Sequence, residues 1–168
     1  MNRLLILLAV MLVFDVAVAT AQSAKQHESE PAAEVEKVVT AFLEAISRKD
    51  TTAFRATMIP EASLTVVFNR EGKPGYNLRP VDSDVRMLGS VENKFLERMW
   101  EPEIRIDGLL ASVWTRYDFY TDGKFSHCGT DAFHVLNTAE GWKISSVSYT
   151  IEPDPEKCPE SPLGEPEF

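Results

Sequence analysis

Val35, Val38, Val39, Phe42, Leu43 and Ile46 recur at helical spacing and form one apolar stripe. Pro31 falls near the first turn of this helix, where a missing N–H costs nothing. Glu34 and Glu36 come early and Arg48 and Lys49 late, as the helix dipole prefers. Asp50 is placed to cap a short second helix over 51–58, which Pro60 stops. Residues 63–68 are rich in β-formers and predict a first strand. The next stretch, 69–80, holds two glycines and two prolines and predicts a loop. Ser90 is placed to cap a helix running through Met99, with Phe95, Leu96 and Met99 on one side.

After Pro102 the period changes. Strand-like runs at 103–106, 109–120, 125–136 and 142–151 are separated by Asp107-Gly108, Asp122-Gly123 and a longer loop ending at Gly141. Asp-Gly between such runs is a strong hairpin signal, because both residues tolerate the positive φ of a tight turn. The order predicts an α+β fold: N-terminal helices, then an antiparallel meander curling around the first of them.

The segment ahead of the stripe has a different character. Arg3 precedes an unbroken apolar run from Leu4 to Phe14, Asp15 ends it, and Ala19-Thr20-Ala21 supplies small residues. This predicts a signal peptide over 1–21, too short to span a bilayer, with no membrane attachment after cleavage. A polar leader covers 22–30 and the folded domain 31–151. Residues 152–168 hold six acids, one lysine and five of the ten prolines, which predicts a solvated acidic tail. The net charge of -9 argues against nucleic acid as a partner. Three scattered histidines and two cysteines form no metal-binding pattern. In an exported chain, Cys128 and Cys158 are a candidate disulfide worth about 3–4 kcal/mol on the chain-entropy model; the alternative is two inert thiols.

A two-residue turn at Asp122-Gly123 would place Tyr120 opposite Phe125, Asp118 opposite His127, Arg116 opposite Gly129 and Trp114 opposite Asp131. Phe133 and Val135 continue that face. Trp142 and Ile144 join it if the last hairpin pairs odd positions with even ones. The result is an aromatic face around Arg116, Asp118, His127 and Asp131, as in a ligand pocket. Trp114, Arg116, Tyr120, Asp131, Phe133 and Trp142 are the candidate ligand-binding residues. His127, oriented by Asp118, is a candidate general base, with Arg116 or Tyr120 polarising a carbonyl. Simple cross-strand ion pairing is the competing explanation. Tyr117 and Phe119 fall on the opposite face, as does His134 at the surface; the two aromatics there suit a dimer contact. Met99 and Trp100 are expected in the core or at a hinge. No nucleophile or phosphate-binding motif is present.

The ordered series from Trp100-Glu-Pro-Glu-Ile-Arg-Ile-Asp-Gly108 through Tyr117-Asp-Phe-Tyr-Thr-Asp-Gly123, His127-Cys-Gly-Thr-Asp-Ala-Phe133 and Gly141-Trp-Lys-Ile144 to Ser148-Tyr-Thr150 resembles the nuclear-transport-factor-two-like superfamily. Within it, the series is most similar to exported bacterial proteins labelled SnoaL-like or lumazine-binding. The resemblance runs from about Val35 to Thr150. It implies a cone-shaped, cystatin-like α+β barrel with a pocket at the wide end, and frequent homodimers through the outer face of the sheet. That cone hosts ligand binders, interaction modules, and isomerases, dehydratases and cyclases. The ketosteroid-isomerase-like members use a carboxylate base and a Tyr/Asp oxyanion pair, a set that Asp118, Asp131 and Tyr120 do not match as a motif. The expectation is therefore an exported, cofactor-free domain that binds a small organic molecule. The alternatives are an isomerase, dehydratase or cyclase using His127 and Asp118, and a dimeric interaction module.

Overall fold

The computed structural model describes residues 30–168, so the predicted signal peptide and nearly all of the leader lie outside the described residues. The elements below build the compact unit Glu34–Phe168. Helix α1 occupies 30–48. Its stripe packs as the spacing predicts: Val35, Val39, Phe42 and Leu43 are buried, and Val38 and Ile46 pack beside them. Asp50 caps α2 (Thr51–Ala56) by accepting from the Thr52 and Ala53 N–H groups at 3.1 and 2.9 Å. The α2 residue Phe54 sets its ring 4.9 Å from that of Phe42.

Two expected elements differ. The Gly/Pro-rich loop is instead a hairpin between β1 (Met58–Arg70) and β2 (Lys73–Pro80). Glu71 and Gly72 both take positive φ, 53° and 79°, and make the tight turn. Pro74 and Pro80 are tolerated because β2 is an edge strand. The expected helix at 90–99 is also replaced. Helix α3 spans Val81–Ser90, with Asp82 and Asp84 in its first turn, and residues from Phe95 onward enter a long strand β3 (Phe95–Asp107). Pro102 sits at a bulge in β3, again on an edge.

Strands β4 (Leu110–Thr121), β5 (Lys124–Thr138) and β6 (Gly141–Thr150) complete an open six-stranded sheet of order β2-β1-β6-β5-β4-β3. The β3–β6 meander is antiparallel as expected, but β1 joins β6 in parallel, so the sheet is mixed. Its inner face supplies Leu64, Val113, Phe133, Val135, Ile144 and Val147 to the core under the helices.

Cys128 and Cys158 form a disulfide with Cα atoms 6.0 Å apart. Backbone bonds between Cys128 and Glu152 reinforce it at 3.0 and 2.8 Å. The tail is extended and largely exposed, yet it is not free in solvent. It crosses the outer face of the sheet, where Pro159 to Pro162 edge a groove with Trp100 and Arg116, and the Gly164 carbonyl accepts from Arg98 Nη1 at 2.9 Å. Trp100 is buried as expected, on this outer face and outside the cluster beneath the helices.

Candidate functional site

The register of the β4–β5 hairpin decides which side chains meet. Thr121 pairs Lys124 and Tyr120 pairs Phe125, as the Asp-Gly turn requires. A bulge then inserts Ser126, and Phe119 rather than Asp118 stands opposite His127. That one residue moves His127 and the β5 side chains in step with it to the face opposite Asp118 and Tyr120. The expected cluster is therefore divided, and the His127–Asp118 pairing does not form.

Asp118 faces outward, opposite Cys128, and is held by Arg98: Nε to Oδ1 at 2.9 Å and Nη2 to Oδ2 at 2.6 Å. Tyr120 lies beside this pair, its ring also meeting Phe168 of the tail. Arg116 donates to Thr130 Oγ1 at 2.9 Å and does not reach Asp131. Trp114 is 55% exposed on the same outer face. None of these four residues lines the inner cavity. Phe133 is inward but buried in the core, edge-on to Phe42. Trp142 joins the inner face, because the last hairpin does pair odd positions with even near its turn, and it packs against the core away from the cavity. His134 is exposed on the outer face.

His127 and Asp131 are the two expected residues that do line the cavity, together with Tyr117 and Phe119, which point inward and not to a dimer surface. The cavity measures about 280 Å³ and lies between the helices and the inner face of the sheet. Phe42, Ile46 and Phe54 from α1 and α2, Leu88 from α3, and Phe95 and Val147 from the sheet make it largely apolar. His127 stacks on Phe119 with centroids 5.0 Å apart, and its Nδ1 meets Ser126 Oγ at 2.9 Å. Burial lowers its pKa, so the ring is neutral at pH 7.

Asp131 is 3% exposed, and its Oδ2 is buried with no hydrogen-bond partner. Burial raises its pKa from 3.8 to about 8. Glu97, half-buried on β3, faces the same cavity. Burial, and then the charges of Asp131 and Asp118, raise its pKa well above the carboxylate range. Two carboxyl groups in one apolar cavity cannot both ionise at modest cost, so the pair holds at least one proton at neutral pH.

Tyr149 lies directly across from Asp131 on β6. Arg79, reaching in from β2, donates to Tyr149 Oη at 3.0 Å and binds Asp84 at 2.7 Å. Burial works against the Arg79 charge, but Asp84 and Tyr149 more than compensate and hold its pKa above the ordinary value. Tyr117 donates to the Thr150 carbonyl at 2.7 Å, and its pKa is raised by burial and by Asp131 and Glu97. Gly129, paired with Tyr117, makes room for that ring: an added Cβ would overlap the Thr150 carbonyl oxygen and lie 2.7 Å from Tyr117 Cε1. Gly129→Ala is expected to cost about 1–3 kcal/mol by overpacking, read as a lower denaturant midpoint at unchanged slope.

The sequence pointed to neither Glu97 nor Arg79, since 90–99 suggested a helix and 69–80 a loop. The alternation Phe95, Glu97, Met99 was the available strand signal. Among the described residues, no three His, Cys, Asp or Glu side chains gather as a metal-binding group. No helix among them is long and apolar enough to cross a membrane.

No family model matches the sequence, and no curated protein matches it. Solved structures do match in fold. An NTF2-like (nuclear-transport-factor-two-like) superfamily protein from Salmonella enterica serovar Typhimurium aligns over 83% of this chain and 99% of its own, with TM-score 0.61 and 18% identity. An NTF2-like protein with a cystatin-like fold from Novosphingobium aromaticivorans aligns over 79% of this chain and 88% of its own, with TM-score 0.61 and 10% identity. An NTF2-like protein of unknown function from Shewanella baltica covers 73% and 94%, with TM-score 0.56 and 20% identity. The chain has the NTF2-like, cystatin-like α+β cone fold that the sequence resemblance implied.

Proposed function

We propose that this chain is an exported domain that binds a small organic molecule in the inner cavity of the cone. The observation that carries the proposal is Asp131, a buried carboxyl with an unpartnered oxygen at the wall of a largely apolar cavity of about 280 Å³. Buried polar groups in folded proteins are normally satisfied, and one left open at a cavity wall is suited to a ligand. The volume is near the lower limit of about 300 Å³ for ligand pockets, which suits a molecule of one or two rings. The Cys128–Cys158 bridge supports export, since disulfides persist in oxidising compartments. Fractionation of its own host into exported and cytosolic protein, followed by native mass spectrometry of whichever fraction holds the chain, tests this. A bound small molecule released on denaturation is expected; a cytosolic, reduced and empty protein would contradict it.

A cofactor-independent isomerase, dehydratase or cyclase is the second reading. It is favoured by one observation: Asp131 and Glu97 share a site that holds a proton at neutral pH. The acid–base role then passes from His127 and Asp118 to Asp131. On any substrate found, Asp131→Asn is expected to abolish turnover, whereas Asp118→Asn leaves it within a few-fold. Homodimer formation, if it uses the outer face, would have to centre on exposed Trp114, because the tail covers Trp100. Sedimentation of Trp114→Ser against the parent chain tests that contact.

A further inference from the structure

We propose that the cavity selects a hydrophobic organic cation, a protonated amine on a one- or two-ring body, with its ammonium group seated on Asp131 and Glu97. The inference rests on the cavity being a ligand site and adds the ligand's chemical class. It follows from counting which polar groups of the cavity are already used. Arg79 is occupied by Asp84 and Tyr149. The Tyr117 hydroxyl donates to Thr150, and His127 is neutral and bonded to Ser126. The open groups are carboxyls, one with an oxygen that is buried and unpartnered. The one cation at the cavity wall, Arg79, is already paired with Asp84, so the two carboxyls face no free positive charge, and an ammonium supplies one.

Other ligand classes fit less well. A carboxylate or phosphate would bring a third negative group beside two acids and find no free cation. A neutral carbonyl could accept the proton of Asp131, but it would leave the Glu97 carboxyl unengaged. A cation relieves both carboxyls at once and converts their repulsion into attraction. The aromatic lining suits the ring body of such a ligand, with Phe42, Phe54, Phe95 and Phe119 at the cavity wall.

The pH dependence separates these classes. The titratable or charged groups around Asp131 are Glu97 on β3, Tyr117 on β4, His127 on β5, Tyr149 on β6, Arg79 on β2 and Asp84 on α3. Helices α1 and α2 add only apolar side chains to the cavity. Binding an ammonium displaces the proton held by the carboxyl pair, so its affinity rises with pH between about 6 and 8. A carbonyl acceptor needs that proton, and its affinity falls over the same range.

The test is calorimetric titration of the disulfide-bonded protein with 2-phenylethylammonium, 2-phenylethanol and phenylacetate at pH 6 and pH 8. The ammonium is expected to bind at least tenfold tighter than the alcohol at pH 8, and phenylacetate weakest of the three. Asp131→Asn is expected to remove at least tenfold of the ammonium affinity and leave the alcohol unchanged; Glu97→Gln acts the same way more weakly. Alcohol binding as tight as the ammonium, or ammonium affinity that falls from pH 6 to pH 8, would overturn the cation selectivity while keeping the cavity. Failure of all three probes to bind would overturn the ligand-site reading itself.

Discussion

Asp131→Asn is expected to stabilise the protein at pH 8 by about 2–5 kcal/mol and to leave it nearly unchanged near pH 3.5. The sign follows from the direction of the shift. Folding raises the Asp131 carboxyl from 3.8 to about 8. Between these values the folded chain holds a proton that the unfolded chain has released. Raising the pH through that window therefore favours the unfolded state, and the cost is complete above about 8. Below about 4 both states are protonated and the side chain costs nothing extra. Asparagine resembles the protonated acid in shape and has no charge to bury, so it removes the slope. Urea midpoints of both proteins from pH 3.5 to pH 9 measure the difference. Parallel pH profiles would show that Asp131 ionises freely and is not the constrained centre described above. A residue whose replacement stabilises the fold is one retained against stability, as binding sites often are.

Opening the Cys128–Cys158 bridge is expected to cost about 3–4 kcal/mol, because it closes a loop of 30 residues in the unfolded chain. The effect reaches beyond chain entropy. The bridge holds the tail on the outer face, over Trp100, which is 6% exposed, and beside the Arg98–Asp118 pair. With the tail released, Trp100 becomes wet and the ion pair becomes an ordinary surface contact. Cys158→Ser should lower the urea midpoint and shift tryptophan emission to the red before the main unfolding transition. Trp100→Phe in the same background should abolish that early shift, since Trp114 is already 55% exposed and Trp142 packs against the core. An unchanged midpoint would mean that the tail contributes nothing to the fold.

The α1 stripe was legible because a single face of one period carries all its apolar residues, and burial follows that face. The Asp-Gly turns were legible for a similar reason: Asp122 and Gly123 both adopt positive φ, 50° and 75°, as such a turn demands. The site was harder to read. Both faces of β4 carry aromatic and polar residues, Trp114, Arg116, Asp118 and Tyr120 on one and Thr115, Tyr117 and Phe119 on the other. Alternation alone cannot choose between them, and a single bulged residue reverses the answer. A further constraint was available. Val113 and Ala111 are small apolar residues that must face the same core as Phe133 and Val135, and they do. Carrying their parity up β4 would have placed Tyr117 and Phe119 inside and Arg116 and Asp118 outside. Glu97 was missed because the short run before Pro102 fits a helix as well as a strand. The edge bulge that accommodates the proline is a tertiary feature.

Asp131 stands at the wall of the cavity as a buried carboxyl whose pKa burial raises to about 8. The most direct test is a carbon-detected NMR titration of the aspartate side-chain carboxyls, with Asp131 assigned by its loss in Asp131→Asn. A midpoint near 8, moving downward when an ammonium ligand fills the cavity, is the expected result. A midpoint near 4, unmoved by any ligand, would contradict it.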